Sequence, residues 1–319
     1  YSGAAPSRTA VDIQGNGYVL NRHFSQGTQN GGTIVKILAE GFIDRNGNGV
    51  MNTSIDLDNN GIIEGAEILP LADTNGNGII DDNEIQDERI AWVKRVPDGI
   101  GAPLVATGAL GRAMCIGTDG NLWVGTYSTG LVRWADGAIQ ERLTSSDVLP
   151  SNQVRAVIEG RDGTLWVGTA RGLMRRKDGV SVGLGEKDGL PREFVLSLFE
   201  ASDGSLWVGT SNGAGRIRGD EITAVDLSAM DGAQDVFGMH EDPDGTLWFA
   251  TDRGLVRRLR SGELSIVGSR QGLPVDAVFQ VVVDSYGNFW LSSNAGVVYI
   301  RRDDMESVAD GTGERLDYQ

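Results

Sequence analysis

Cysteine is nearly absent from this chain: Cys115 is the only one in 319 residues. No intrachain disulfide can form, so the fold does not rest on a disulfide framework, and cysteine usage says nothing about the redox compartment. Within the run Arg112 to Gly117, Cys115 reads as a small packing side chain rather than a reactive thiol. Histidine is almost as scarce, with only His23 and His240, and no cluster of His and Glu at a matched position can be picked out by spacing. No apolar run approaches the roughly 20 residues that a membrane helix needs. Basic residues are outnumbered, 28 Lys and Arg against 44 Asp and Glu, and the net charge of -16 argues against nucleic acid or an anionic membrane as partner, since both call for basic patches. The chain starts at Tyr1 without methionine, which reads as a processed product or a fragment with any signal peptide out of view.

Glycine is abundant, with 46 residues, and 40% of the chain is hydrophobic, a turn-dense composition able to bury a sizeable interior. The stretch from Asp162 to Arg175, DGTLWVGTARGLMR, has near-copies beginning at Asp119, Asp203, Asp244 and, more loosely, Tyr286. The shared tryptophans Trp123, Trp166, Trp207, Trp248 and Trp290 are 43, 41, 41 and 42 residues apart. A period of roughly 40 to 50 residues with strand-like content points to a propeller. Asp-Gly between two apolar runs predicts a tight hairpin turn, Leu165-Trp166-Val167 a strand, and Gly172-Leu173 the start of the next. One four-stranded meander of this size cannot hide both of its apolar faces, and stacking on the next copy does so. A degenerate first copy runs from Ala10 to Arg22, with Tyr18 in the tryptophan position. The expected fold is therefore all-β, a six-bladed propeller of four-stranded antiparallel blades, with a seven-bladed or larger ring left open for a fragment. Small residues recur in the inner strands at Ala113, Ala156, Ser197 and Gly238, as a crowded axis requires; Arg8 and Gln280 hold that position in the first and last units.

From Tyr18 to Trp123 is 105 residues, too many for one repeat of this type. The excess is an acidic insertion, which predicts a domain order of 1–42 (inner strands of blade 1), 43–88 (insertion) and 89–319 (the rest), with Glu88 to Val96 returning as the outer strand of blade 1. Asp56, Asp58, Asn60, Ile62, Glu64 and Glu67 stand at alternating loop positions, and Asp73, Asn75, Asn77, Ile79, Asp81 and Glu84 repeat them. Both segments resemble the calcium loop of EF-hand proteins, in which alternate oxygens, one backbone carbonyl and a final glutamate surround a hard cation. A third loop, Asp44, Asn46, Asn48, Val50 and Asn52, starts in the same way, but its twelfth position is Ile55, so no glutamate closes it; Asp56 is the nearest substitute. Only Ile68 to Ala72 separates the two full loops, and Pro70 forbids a helix through it, so the array looks more like a dockerin or thrombospondin type than a paired EF-hand. The expectation is a Ca2+-stapled insertion with two sites and an open third, its metal supplying the folding free energy that a missing core cannot.

Gly-Leu-Pro at the seams between units, followed by Asp-Gly-x-Leu-Trp-Val-Gly-Thr-x-x-Gly-Leu-x-Arg, resembles the propeller repeat of two-component regulator sensors. The first unit, with its Val-Asp-x-x-Gly-Asn core, is similar also to streptogramin lyase-like propellers. The sensor resemblance implies an extracellular ligand-sensing region; the lyase resemblance implies a histidine general base. The chain shows neither the membrane helix nor the kinase of the sensors.

Loops on a rigid frame carry function, and those between second and third strands present Arg22, His23, Tyr127, Arg171, Asn212, Asp252, Arg253 and Asn294 as the expected ligand face, unless these are merely tolerant loop tips. Arg133, Arg175, Arg216 and Arg257 occupy equivalent positions and read as architectural, pairing with the turn aspartates of a neighbouring blade; the tryptophans read as blade core. The favoured expectation is an exported, extracellular or periplasmic recognition or structural module without catalysis, binding a protein or glycan partner on one face. The alternative is a lyase or hydrolase working at the ring's mouth, which a histidine with a carboxylate in hydrogen-bond reach would favour.

Overall fold

In the computed structural model the described residues are 4–11, 16–23, 33–54, 69, 74, 82–95, 111–135, 138–313 and 315–316. They form a six-bladed, all-β propeller of antiparallel four-stranded blades, the sixth showing three strands among the described residues. The chain parts into two compact units, Tyr1–Thr144 with Asn152–Val157, and Ser145–Ser151 with Ile158–Gln319.

The first unit holds blade 1, with β1 (Ala4–Val11), β2 (Gly17–His23), β3 (Thr33–Ile37) and β4 (Ile90–Arg95), and blade 2, with β5 (Gly111–Ile116), β6 (Leu122–Thr126), β7 (Leu131–Ala135) and β8 (Ala138–Leu143). The outer strand expected after the insertion is β4, which pairs with β3 from Thr33↔Arg95 to Ile37↔Ile90. Tyr18 does take the tryptophan's place: it is 8% exposed, packs with Met114, Leu122 and Val124 of blade 2, and carries the Lys36 ammonium 5.2 Å from its ring centroid. Cys115 is half-buried on β5, opposite Trp123.

Blade 3 comprises β9 (Val154–Glu159), β10 (Leu165–Thr169), β11 (Gly172–Lys177) and β12 (Val180–Leu184). Blade 4 comprises β13 (Val195–Glu200), β14 (Leu206–Thr210), β15 (Gly213–Arg218) and β16 (Glu221–Val225). Blade 5 comprises β17 (Val236–Glu241), β18 (Leu247–Thr251), β19 (Gly254–Arg258) and β20 (Leu264–Val267), and blade 6 comprises β21 (Gln280–Val283), β22 (Phe289–Ser293) and β23 (Gly296–Ile300). A helix, α1 (Arg302–Ala309), follows.

All five residues of β10, β14 and β18 are buried; each is hydrogen-bonded to a strand on both edges within its own blade. Trp207 meets Phe249 of the next blade at 5.5 Å and Trp248 meets Phe289 at 4.9 Å, tilted or edge to face, the arrangement that ring quadrupoles favour. Trp290 departs from the expected core role. It is 43% exposed, because its face of β22 lies at the surface of this unit, with its edge on Tyr299 and its indole N–H donating to Asp284 at 2.9 Å.

The repeated Gly-Thr and the later Gly have a shared physical cause. Thr169, Thr210 and Thr251 are fully buried; each hydroxyl donates to the carbonyl of the glycine three residues on and accepts the N–H two residues on. That glycine opens the third strand in the left-handed region, as with Gly254 at φ 113°, where an added Cβ would strike the Val267 carbonyl. At the other end of the second strand the Asp-Gly turn differs from the expected one. Only the glycine takes a positive φ, 75° at Gly163, while Asp162 accepts the Thr164 N–H at 3.0 Å and its hydroxyl at 2.9 Å, an Asx turn.

Candidate functional site

Five of the residues expected on the ligand face lie in the second unit, at the turns joining second to third strands. Arg171, Asn212, Arg253 and Asn294 are exposed. Asp252 is drawn inward: its Oδ1 accepts the N–H groups of Gln234 at 2.9 Å and Asp235 at 3.1 Å, so it clamps the seam before β17 as well as pairing with Arg253 at 3.6 Å. In the first unit, Tyr127 is 44% exposed, with the Arg112 guanidinium 5.1 Å from its ring centroid. Arg22 and His23 end β2, and their side chains are outside the described residues.

Sequence reasoning missed the residues beside this turn end. Register shifts interrupt the inner strands between Val195 and Ser197 and between Val236 and Gly238, and the extra residue of such a bulge re-aims its side chain. In blade 5 that residue is Phe237, which meets Phe279 edge to face at 5.5 Å. Phe279 is 42% exposed. The signal was available two places before the small position: Val195, Val236 and Val278 align, and each is fully buried. At the small position of blade 5, a Cβ on Gly238 would meet the flexible end of the Gln280 side chain and come to 3.1 Å from the Phe279 carbonyl oxygen.

At the opposite, Asp-Gly end of the strands, blades 3 and 4 enclose a cleft of about 720 Å³. Trp166, Leu206 and Ile217 form its floor and Val180 and Val182 one wall. Its charges are paired: Lys177 with Asp162 at 2.5 Å, Arg175 with Asp220 at 2.7 Å, and Arg161 with Glu200 at 3.6 Å. The Lys177 ammonium, joined by the N–H and hydroxyl of Thr164, holds the Asp162 carboxyl at about 2.

The repeated arginines lie over the tryptophan of their own blade, with Arg133, Arg175, Arg216 and Arg257 at 5.8, 6.0, 5.6 and 5.9 Å from the ring centroids. Their carboxylate partners vary. Arg216 bonds Asp203 of its own turn at 2.5 Å, Arg175 bonds Asp220 of the next blade, and Arg257 bonds Asp310 after α1 at 2.6 Å.

His240 has a carboxylate in reach, Asp242 Oδ1 at 3.4 Å from Nε2. Asp242 is already committed: it accepts Trp248 Nε1 at 2.7 Å and both Arg302 amino groups at 2.7 and 3.1 Å. Burial works against its charge, but the hydrogen bonds from His240, Arg302 and Trp248 outweigh it and hold the carboxyl well below the ordinary range. Such a carboxylate fastens α1 to blade 5 and is a poor acceptor for a further proton.

Of the acidic loops, the described residues cover the first. Asp44 accepts the N–H groups of Asn48 at 3.1 Å and Gly49 at 2.8 Å, and Asn48 Oδ1 accepts that of Val50 at 2.7 Å. Glu88, 1% exposed, lies against this loop. Glu88 Oε1 accepts the Arg45 N–H at 3.1 Å and Oε2 the Asn52 N–H at 2.8 Å, so one carboxylate ties both ends of the loop. Asp56, Asp58, Asn60, Ile62, Glu64, Glu67, Asp73, Asn75, Asn77, Ile79 and Asp81 lie outside the described residues. Glu84, the twelfth position of the last loop, is buried and accepts both the N–H and hydroxyl of Thr74, at 2.6 and 2.7 Å. Among the described residues no three His, Cys, Asp or Glu side chains converge as metal ligands, while the side-chain oxygens of Asp44, Asn46 and Asn48 are of the type that suits a hard cation.

The fold and these turns define a β-propeller of short repeated blades, and comparison with known proteins agrees. Residues 148–171, 189–212 and 232–253 match the model of the two component regulator propeller, so three blades carry repeats similar to that family's. No curated protein matches the chain. Among solved structures it is similar to a catalytically inactive virginiamycin B lyase from Staphylococcus aureus with quinupristin, at a TM-score of 0.60 and 15% identity over 99% of this chain and 84% of that one. It is similar also to the extracellular domain of a hybrid two component system from B. thetaiotaomicron, at 0.62 and 16% over 97% of this chain and 40% of that one. PorZ, a surface component of the type-IX secretion system of Porphyromonas gingivalis, aligns at 0.55 and 12%, over 93% of this chain and 40% of that one. The chain thus spans less than half the length of the latter two proteins, and identities this low speak for the fold alone. No helix among the described residues is long and apolar enough to cross a membrane.

Proposed function

We propose that this chain is an exported, calcium-stabilised propeller that recognises a protein or glycan partner, without catalysis, through the turn ends that carry Arg171, Asn212, Arg253 and Asn294. The observation that carries this reading is the Phe237 and Phe279 pair, apolar area left accessible beside polar turns, which is how a recognition surface is built. The extracellular setting of the two-component neighbour supports export. A photo-crosslinking residue at Phe279 should capture a partner that the same residue at Tyr286, at the far end of blade 6, does not; equal capture at both overturns the reading.

The alternative is catalysis of the kind the lyase neighbour's name implies, favoured by His240 beside Asp242 and weakened by the engagement of Asp242 with Arg302. Quinupristin is the probe: turnover by the chain, abolished in His240→Ala, would establish the enzyme and end the non-enzymatic reading.

For the metal, the first loop would hold Ca2+ through Asp44, Asn46, Asn48 and the Val50 carbonyl, with Glu88 in place of the absent twelfth-position acid. The two full loops would each hold one by the expected pattern. The ion would staple a segment with little apolar core. Melting with and without chelator tests this, beside a chain lacking residues 44–88: the intact protein loses stability on chelation and the deletion does not respond. An unchanged melt for the intact protein removes the metal.

A further inference from the structure

The cleft between blades 3 and 4 has a filled counterpart in the same unit. Register equates the two: Trp166 pairs with Arg175 as Trp248 pairs with Arg257, and Leu206 pairs with Ile217 as Phe289 pairs with Ile300. Between blades 5 and 6 the space over these residues is occupied by α1. Met305, Val308 and Ala309 pack with Trp248, Phe289 and Ile300 in one cluster. Arg257 donates to the Ala309 carbonyl at 3.0 Å and pairs with Asp310. At the other end of the helix, Arg302 bonds Asp242 and the Gly287 carbonyl and lies 4.8 Å from the Phe289 ring centroid.

Between blades 4 and 5 the space is closed by other means. Arg258 stands where Ile217 and Ile300 stand, opposite Leu247, and its guanidinium lies 5.3 Å from the Trp207 ring centroid. The remaining cavity is about 280 Å³, against about 720 Å³ between blades 3 and 4. The blade 3 and 4 cleft therefore has the isoleucine floor of the helix-filled groove and lacks the arginine plug of the other. Its wall is more apolar than that of the filled groove: Val182 pairs with Arg175 where Ser265 pairs with Arg257, and Val180 and Val182 are 66% and 39% exposed.

We infer that this cleft is a docking groove for a short amphipathic helix of a partner protein. That helix carries a Met/Val/Ala-type stripe onto Trp166 and Ile217 and a carboxylate, at its C-terminal end, that takes Arg175 from Asp220. This is the helix-in-groove mode, with the chemistry of the occupant read from the helix the chain already holds in the equivalent place. It concerns the Asp-Gly end of the blades and stands independently of the recognition surface at their other end.

The test uses the full chain and, as probe, a labelled synthetic peptide of residues 301–316, followed by fluorescence polarisation. Saturable binding is expected, weakened at least tenfold in Ile217→Arg, which installs the plug that closes the neighbouring groove. Arg175→Glu should weaken binding similarly, and a peptide bearing Asp310→Lys should restore it on that variant. Melting curves of both variants check that they fold, and the charge-swapped pair keeps the test decisive should Ile217→Arg be unstable. No binding to the wild-type chain overturns the inference. So does binding that Ile217→Arg leaves intact and Ile300→Arg removes, since the peptide would then be exchanging with α1 in its own groove.

Discussion

In blades 3 to 5 every residue of each second strand is buried, and most of those side chains are apolar. In the described part of the acidic insertion the buried residues are Glu84, Ile85, Asp87 and Glu88, three of the four being carboxylates. Among the described residues Ile85 clusters with Val35 and the half-buried Ile90. The blades are thus held by non-directional burial, which tolerates exchange of one apolar side chain for another. The described part of the insertion is held by directed bonds from particular N–H groups to buried acids, such as those from Arg45 and Asn52 to Glu88. A directed bond fails completely when its acceptor is removed, and the part-buried N–H groups of Arg45 and Asn52 are then left without it.

The largest effect is therefore expected in the blades, where the most area is buried per residue. Trp248→Ala removes a 1% exposed indole packed on Phe289 and hydrogen-bonded to Asp242, and should destabilise the second unit by about 3 to 5 kcal/mol. Urea unfolding followed by far-UV circular dichroism measures it. A loss below about 1 kcal/mol would mean that blade stacking is not what holds this unit.

Glu88→Ala sharpens the other side of the comparison. It leaves the Arg45 and Asn52 N–H groups without their acceptor and should cost about 2 to 4 kcal/mol. Hydrogen exchange should place the loss in residues 43–54 and leave β13 to β20 protected. Glu88→Gln should recover part of it, since the amide keeps one acceptor oxygen. Uniform loss of protection across the chain would show that the insertion and the blades unfold together.

The same contrast explains what could be read from the sequence. Blade spacing, Tyr18 as a tryptophan substitute, the return of the chain as β4 and the small inner-strand positions all follow from repetition, which averages out local ambiguity. Glu88 could not be read that way: it reaches the first loop across the whole insertion, and no periodicity marks it. Phe237 was hidden because a bulge shifts the register by one residue, so the pattern of alternation points to the wrong face. The role of α1 was hidden for another reason. It is a single helix with no second copy, and its importance lies in the groove that it fills.

Gly254→Ala tests the blades at their least tolerant point, where burial alone does not govern. The φ of 113° and the approach of the Val267 carbonyl predict a loss of about 2 kcal/mol, more than the conformational entropy that alanine would save. Gly163→Ala, also at positive φ but with nothing within 4 Å of the added Cβ, should cost about 1 kcal/mol from backbone strain alone. Thermal unfolding of the two variants side by side measures the difference, and equal losses would remove the steric part of the argument.

The smallest effect is expected from the exposed acids of the blade turns. Asp162 is held at about 2 against an ordinary 3.8, chiefly by Lys177, and a depressed folded-state value means that its contribution is complete above about 4 and disappears as pH falls toward 2. Its side chain is 57% exposed, so solvent screens the pair and Asp162→Asn should cost less than about 1 kcal/mol at neutral pH. Between pH 4 and 2 the variant should lose stability less steeply than the wild type, and 1 M salt should bring the two curves together at neutral pH by screening the pair. A variant that loses several kcal/mol at neutral pH would mean that the turn aspartates are as indispensable to the blades as Glu88 is to the insertion, and the distinction between burial and directed bonding would fail where the blades are most exposed.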